Sequence, residues 1–293
     1  IANPWQAGVL DAIDPDAAVA IIGTGLSMAD VVASLGTRHH RGPLTAFSRR
    51  GQLSRANLQG EWPEWTLAPQ NVPDVRLWLH HIRDEVARAA RQQLPWQRVL
   101  DDVRTQGQTI WQLLPLREQQ RFVRHLRSWW DVHRYRIAPQ VSAEITRRQQ
   151  QGSLQVLAAR LDAITVQGHQ LAITLRTRQG ETETRLLDHL IVTTGPGHDA
   201  LTQSQPLLRS LSEQGLIRGD QLGFGLDVDA QSHTLDQQGQ PNARLLVVGP
   251  AARARFGELM GLPQVADHAA AVAQQILREL NFAQDERCPP YAS

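Results

Sequence analysis

The stretch that most constrains the fold runs from residue 18 to residue 50, AVAIIGTGLSMADVVASLGTRHHRGPLTAFSRR. Its first five residues, Ala18 to Ile22, form a continuous apolar run, which predicts a parallel strand buried on both faces. Gly23, Thr24 and Gly25 then interrupt the run. This order of strand and tight turn predicts the start of an α/β unit, because a parallel strand needs a crossover connection, usually a helix, to reach its neighbour.

A helix and a second strand follow the turn. From Ser27 to Leu35 the apolar residues fall three and four positions apart, which predicts an amphipathic helix, and Gly36 is expected to cap its end. Leu44 to Ser48 predicts the next strand. The predicted fold class is therefore α/β, with a Rossmann-like parallel sheet built around the glycine turn.

The turn predicts a nucleotide site. Unpaired amides at a helix start, together with the helix dipole, favour an anion, and glycines allow a pyrophosphate to approach the backbone. The predicted contacts are at the turn and the helix start: Gly23, Thr24, Gly25, Leu26 and Ser27. The dinucleotide fingerprint G-x-G-x-x-G has Met28 at its third glycine here, so an ordinary strand-to-helix turn without a ligand is the alternative.

The end of the second strand indicates which dinucleotide binds. NAD-binding domains place an acidic residue there, roughly 20 residues past the glycines. This chain has Ser48, Arg49 and Arg50 at that place and no carboxylate until Glu61. Guanidinium groups suit a 2′-phosphate, so the sequence predicts NADP(H) rather than NAD(H), with a solvated loop as the alternative.

Four segments together resemble a known family: IGTGLSMADVVASL, RGPLTAFSRRG, LIVTTGPG and LLVVGPAARARFGELMGLPQV. They are similar to segments of the FAD/NAD(P)-binding flavoproteins related to the flavin monooxygenases. The resemblance implies a nicotinamide domain inserted within a flavin domain, with FAD as a second cofactor approached by Gly195 and Gly249. It also implies a flavin fingerprint before residue 1, so the chain is expected to be a fragment that is inactive alone.

Three domains are expected. Residues 1–60 and 152–195 are predicted to form the NAD(P)-binding domain, 61–151 a helical insertion, and 196–293 the C-terminal portion of a FAD-binding domain. Breaks at Pro95, Gly107 and Pro115 separate the predicted helices of the insertion. After Gly152, alternating apolar and polar residues with turns at Gly168 and at 179–180 predict a small antiparallel meander that precedes the strand at 190–194.

The C-terminal third has a weaker pattern. Strands are predicted at 190–194 and, as the last buried strand, at 245–249; helices are predicted at about 200–214 and 264–280. Pro196 and Gly197 are expected to mark the linker between domains.

Composition excludes several classes of chemistry. The chain of 293 residues has a formal net charge of +1 without a long basic run, which disfavours a nucleic-acid surface. It has no lysine, which excludes a P-loop or Schiff-base lysine, and one cysteine, Cys288, which excludes disulfides and thiolate metal sites. No apolar stretch reaches membrane-spanning length, and a cytoplasmic location is expected. The histidine pairs at 39–40 and 80–81 are interpreted as surface residues rather than metal ligands.

The leading hypothesis is an NADPH-dependent FAD oxidoreductase that acts on a small organic substrate; a monooxygenase is one type of such an enzyme. The cofactors supply the chemistry, so no catalytic residue is assigned. The alternative is a non-catalytic dinucleotide-binding module, a sensor or assembly component. Residues 129–136 and the tryptophans, all at or before Trp130, suit either a site or structural packing. A homodimer or a missing N-terminal segment is expected to cover exposed apolar surface.

Overall fold

The computed structural model describes residues 1–195 and 201–285, and these divide into two compact units. The first unit contains residues 1–64, 96–100 and 126–195, and the second contains 65–95, 101–125 and the described residues from 201 onward. The stretch 61–151, predicted to be a separate insertion, contributes to both units. Pro196, Gly197 and Cys288 lie outside the described residues.

The first unit is built on a six-stranded sheet in the order β5-β4-β3-β2-β1-β6. Four strands, β3, β2, β1 and β6, are parallel neighbours, whereas β4 and β5 continue the sheet as an antiparallel meander. The predicted α/β class is confirmed. The strands are β1 (Val19–Ile22), β2 (Leu44–Ser48), β3 (Leu154–Gln167), β4 (Gln170–Thr177), β5 (Thr182–Leu187) and β6 (His189–Val192).

The meander is not a separate attachment, because the long strand β3 joins both parts of the sheet. Residues 154–158 of β3 pair parallel with β2, and residues 159–167 pair antiparallel with β4. A register shift between Leu161 and Ala163 lies in the antiparallel half. Such a bulge increases the local twist of a sheet.

Helix α1 (Leu26–Thr37) packs its apolar face on the sheet, and Met28, Val31 and Val32 are fully buried. The prediction that Gly36 caps this helix is wrong, because the helix continues to Thr37 and Arg38 is the cap. Gly36 has a packing role instead. A Cβ there would lie 2.7 Å from the Glu144 Oε1 atom, so glycine permits the close approach of this carboxylate.

Six helices occupy the stretch between β2 and β3, with the predicted breaks at Pro95, Gly107 and Pro115. Pro95 is the N-cap of the second of them, and Gly107 starts the third. Asp74 caps the first by accepting hydrogen bonds from the amides of Arg76 and Leu77. The helices are α2 (Val75–Arg91), α3 (Trp96–Thr105), α4 (Gly107–Leu113), α5 (Leu116–His125), α6 (Arg127–Arg134) and α7 (Pro139–Gln150).

The later elements differ from two predictions. The helix expected at 200–214 is two short helices, because Pro206 lacks the amide needed to continue the first. The buried strand expected at 245–249 is a half-exposed strand at 241–246 that pairs with a three-residue partner, and Val248 is 45% exposed. The elements are α8 (Leu201–Ser204), α9 (Pro206–Glu213), β7 (His233–Leu235), β8 (Pro241–Leu246), a 3₁₀ turn (Pro250–Ala252), α10 (Arg253–Phe256) and α11 (Leu262–Asp285).

His40, interpreted from the sequence as a surface residue, is buried instead. Its Nε2 atom lies 3.0 Å from the carbonyl oxygen of Ala17, and its own carbonyl accepts a hydrogen bond from Arg148 Nη2 at 2.7 Å. Arg148 is only 1% exposed, and its Nε atom donates to Glu144 Oε1 at 2.7 Å. This partly buried ion pair attaches helix α7 to the loop between α1 and β2.

Candidate functional site

The glycine turn lies at the carboxyl ends of β1 and β6. Strand β1 pairs with β2 on one side and β6 on the other, which places the turn where the strand order changes direction, the usual ligand crevice of open α/β sheets. Gly23 has φ = +118°, and a Cβ there would lie 2.5 Å from Thr193 Oγ1 and 2.9 Å from the Thr193 carbonyl oxygen. Glycine is therefore required at position 23 by both its backbone conformation and its neighbour.

Gly25 differs from Gly23 because it faces open space. No atom lies within 4 Å of the position of a Cβ at Gly25, and its φ of −90° is open to any residue. Gly25 is the N-cap of α1, which starts with no side-chain cap and no acidic residue in its first turn. The first amides of the helix, at Leu26 and Ser27, are therefore available to an anion approaching over Gly25.

Hydrogen bonds connect the turn to the loop after β2. Thr24 Oγ1 donates to the Gln52 carbonyl at 2.6 Å and lies 2.8 Å from Ser48 Oγ. Because the Thr24 proton is used on Gln52, Ser48 donates to Thr24, and the Ser48 oxygen accepts the amide of Gly51 at 3.0 Å. Both hydroxyl protons thus fix the turn, and the cofactor contacts predicted for Thr24 and Ser48 remain predictions.

Arg49 and Arg50 follow directly on β2, and both side chains are exposed. Arg50 donates through Nη1 to the hydroxyl of Ser128. The two guanidinium groups therefore lie at the edge that the sequence predicted for the 2′-phosphate. Their contact with a phosphate remains a prediction.

A cavity of about 180 Å³ opens beside the turn in the same unit. One wall is the start of α1, the second is the loop at 53–56, and the third is helix α7. The loop is held by the backbone, since the Arg55 amide donates to the Val132 carbonyl at 2.8 Å and the Ile137 amide donates to Arg55 at 2.9 Å. The lining residues are Thr24, Gly25, Met28, Ala29, Leu53, Ser54, Arg55, Ala56, Ile137, Ser142, Ile145, Thr146 and Gln149.

Gly249, in the second unit, is buried at the turn after β8 and has φ = +84°. Its amide donates to His268 Nδ1 at 3.1 Å, and His268 Nε2 lies 2.9 Å from Ser232 Oγ. Because Nδ1 accepts a hydrogen bond, the ring proton is on Nε2, and His268 is neutral in this arrangement. Burial of the ring lowers the pKa of His268 below its ordinary value.

This lowered pKa predicts a loss of stability in mild acid. Between the ordinary pKa of 6.5 and the lower native pKa of His268, the unfolded chain binds more protons than the folded chain. The stabilisation is therefore complete above pH ~6.5 and is lost as the pH falls below it. The difference in unfolding free energy between the parent and His268→Asn, measured with urea from pH 5 to 8, should be constant at the alkaline end and shrink below pH ~6.5. A difference that stays constant across this range contradicts the assignment.

Gly195, the other residue predicted to approach a flavin, has φ = +74° and is exposed. The polar segment at residues 129–136 takes part in packing within the first unit. His133 Nδ1 lies 2.7 Å from the Trp129 carbonyl, and its ring meets Trp96 edge-on at 5.0 Å. The Arg134 guanidinium lies 4.2 Å from the centre of the Tyr135 ring. These contacts favour the structural interpretation of the segment.

Within the described ranges, no group of three or more histidine, cysteine, aspartate or glutamate residues could hold a metal ion. Over the same residues, no helix is long and apolar enough to cross a membrane.

No protein-family model and no curated protein matches the chain. Solved structures do match it in fold. L-lysine 6-monooxygenase from Pseudomonas syringae gives a TM-score of 0.57 at 16% identity, covering 92% of this chain and 55% of the other. Ornithine hydroxylase (PvdA) from Pseudomonas aeruginosa gives 0.55 at 15% identity, with coverages of 90% and 53%.

A third match is the ornithine N-hydroxylase KtzI from Kutzneria sp. 744, named as a complex with reduced FAD, NADP⁺ and L-orn. Its TM-score is 0.51 at 14% identity, covering 90% of this chain and 55% of the other. The chain thus spans about half the length of these structures. The fold expected from the family resemblance is confirmed, because this chain shares the fold of the matching part of these monooxygenase and hydroxylase structures.

Sequence reasoning missed one wall of the site. Helix α7 falls within the predicted insertion at 61–151, and in the structure it belongs to the first unit and lines the cavity through Ser142, Ile145, Thr146 and Gln149. A signal was present, because three polar residues at i, i+4 and i+7 form one face of a helix. The sequence does not show that this polar face lies beside the glycine turn, which only the folded structure reveals.

Proposed function

We propose that the chain binds NADPH at the glycine turn and belongs to an NADPH-dependent FAD oxidoreductase acting on a small organic substrate. The observation that carries the proposal is the uncapped start of α1 below Gly25. There, open space, free amides and the helix dipole meet at the point where the strand order reverses. Arg49 and Arg50 at the end of β2 favour a cofactor with a 2′-phosphate.

The first unit fits the pyrophosphate of such a cofactor. Gly23 lets the chain turn closely against Thr193, Gly25 leaves room for the phosphates, and the amides of Leu26 and Ser27 supply donors. Thr24 and Ser48 keep the turn and the following loop in place without using those amides. The protein's tasks are thus to bind and orient the dinucleotide. When bound, the nicotinamide supplies a hydride for the reduction of a flavin.

The fold resemblance, and the complex of the Kutzneria enzyme with reduced FAD and NADP⁺, support FAD as the second cofactor. Residues 201–285 are proposed to form part of the flavin-binding domain, with Gly195 and Gly249 near the flavin nucleotide. The amide of Gly249 is already used by His268, so its contribution there is close backbone approach rather than a hydrogen bond. A monooxygenase reaction on an amine is the form of the activity that the neighbours' names support.

The surface of the second unit supports the presence of further flavin-domain structure. Helix α11 exposes Leu262, Leu277 and Leu280 by 82%, 59% and 57%. Leu277 and Leu280 are neighbours on the helix surface, and Leu262 lies on the same side about 27 Å earlier along the axis. Exposed apolar residues along one side of a helix favour a contact surface there. We propose that additional flavin-domain chain, or a second copy of this chain, covers them, and that the 293-residue chain without this cover does not turn over.

Protein produced from the complete reading frame tests the proposed function. We expect it to show a flavin spectrum and to oxidise NADPH, while the 293-residue chain binds NADPH but does not oxidise it when FAD is added. A colourless complete protein that binds NADPH without oxidising it favours a non-catalytic nucleotide-binding module. Protein that binds neither cofactor overturns the proposal.

A further inference from the structure

The cavity beside the glycine turn has mixed chemistry on its three walls. Helix α7 contributes Ser142, Thr146 and Gln149 from one polar face, with Ile145 between them. Arg55 is the one cation among the lining residues, and it lies in the loop opposite that helix. The walls thus offer hydroxyls, an amide, a guanidinium and apolar surface to one ligand group.

The size of the cavity limits what this group is. A volume of about 180 Å³ is that of roughly 12 to 18 water positions, at 10–15 Å³ each. It suits one compact polar ring system and is too small for a whole dinucleotide. Because Gly25 and the loop at 53–56 after β2 both line the cavity, it adjoins the proposed anion site and the segment that follows β2.

In a dinucleotide held by its pyrophosphate over a glycine turn, the adenosine half extends toward the second strand, whose end meets the ribose. An adenine ring needs an apolar contact for its faces and donors and acceptors at its edge. The Gln149 amide offers both a donor and an acceptor, as glutamine does when it reads adenine. The guanidinium of Arg55 can stack on an aromatic ring, and Leu53 and Ile145 supply apolar surface.

We propose, on the basis of the proposed function, that this cavity receives the adenosine end of the dinucleotide and that helix α7 is the wall that recognises it. The polar face at Ser142, Thr146 and Gln149 meets the ring edge, and Arg55 closes the opposite side. Residues from the end of the predicted insertion thereby become determinants of cofactor binding.

The position of this wall is fixed from its other side. Arg148, whose side chain is almost fully buried, donates to the His40 carbonyl in the loop between α1 and β2 and pairs with the partly exposed Glu144 on the same helix. Arg147 adds two bonds to Glu144, at 2.7 and 2.8 Å. A buried guanidinium is costly to leave unpaired and depends on exact partners, so the bonds of Arg148 suit a role in fixing the position of the helix. Glu144 and Arg148 are positioning residues for the cavity.

Two matched pairs of variants test the proposal. Ser142→Phe places a ring in the cavity, whereas Ala143→Phe places the same ring on the exposed neighbour that does not line it. Gln149→Leu removes the amide from the cavity, and Gln150→Leu removes one from the exposed neighbour. The probes are NADPH, 5′-AMP and nicotinamide mononucleotide, each titrated against the 293-residue chain.

We expect Ser142→Phe and Gln149→Leu to weaken NADPH and 5′-AMP by about tenfold or more, and to leave nicotinamide mononucleotide unaffected. The two control variants should bind all three probes as the parent does. If the parent chain, Ser142→Phe and Gln149→Leu all bind NADPH with the same affinity, the cavity assignment is wrong while the proposed function stands. If the parent binds neither NADPH nor NADH, the proposed function itself fails. Gln149 is exposed, so its variant remains informative if Ser142→Phe does not fold.

Discussion

Replacing Gly25 by aspartate is expected to reduce the affinity for NADPH and NADH alike by more than about 100-fold, or ~2.7 kcal/mol, without unfolding the chain. Aspartate is a favoured N-cap, and the φ of −90° at this position suits any residue, so α1 should be kept or slightly stabilised. The same carboxylate takes the helix amides that the pyrophosphate needs and repels its charge. Binding and stability therefore change in opposite directions, which damage to the fold does not produce.

The measurement is a fluorescence or calorimetric titration of both dinucleotides beside urea unfolding of the same variant. The matched control is Gln205→Asp, which adds an aspartate cap at the exposed start of α9, a helix that also lacks a side-chain cap. This control should leave both dissociation constants unchanged. Retention of NADPH affinity by Gly25→Asp would show that the turn does not hold a pyrophosphate.

Gly23→Ala, at the same turn, is expected to reduce the stability of the fold. Its Cβ would lie within 3 Å of two Thr193 atoms in a backbone conformation that alanine rarely adopts. We expect the free energy of unfolding to fall by roughly 1–3 kcal/mol. The first glycine thus serves the fold and the second serves the ligand, a division of roles that the G-x-G pattern alone does not reveal.

The sequence predicted the centre of the first unit well because the determinants are local. The apolar run before Gly23 and the spacing of Met28, Val31 and Val32 each act within a few residues, and β2 was predicted with its observed limits. The long strand β3 was not foreseen as a single element, because its two halves pair with different partners at different distances along the chain.

The missed features depend on contacts between distant segments. His40 is buried because Ala17 and Arg148 surround it, and a pair of adjacent histidines carries no sign of this. The cavity needs α7 to return to the turn more than a hundred positions later in the chain, through a stretch whose pattern predicts only helices. The apolar run at 245–248 predicts a buried strand, yet β8 ends at Leu246, its partner has only three residues, and Val248 beyond its end is 45% exposed. An apolar sequence predicts that a strand tends to be buried, but whether it is buried depends on the strand or helix that packs against it.

Replacing both Arg49 and Arg50 by glutamine is expected to remove most of the preference for NADPH over NADH. A charge-assisted hydrogen bond contributes about 1.5–3 kcal/mol when shielded. Since both side chains are exposed, solvent reduces this contribution, so we expect the preference to fall by roughly one to two orders of magnitude. NADH lacks the phosphate and should bind the double variant almost as it binds the parent. Raising the salt concentration should also reduce the parent's preference for NADPH over NADH, because salt screens the attraction between the guanidinium groups and the phosphate.

The matched control is Arg160→Gln with Arg178→Gln, which removes two exposed arginines from β3 and the turn after β4 and changes the net charge by the same amount. General electrostatic attraction predicts equal losses in the two double variants, whereas a specific phosphate contact predicts a loss confined to Arg49 and Arg50. The single variants divide the effect further. The Nη1 atom of Arg50 already donates to Ser128, which leaves this guanidinium fewer donors for a phosphate, so we expect Arg49→Gln to cost more than Arg50→Gln. Equal affinity of the parent for NADPH and NADH would show that neither arginine meets a 2′-phosphate.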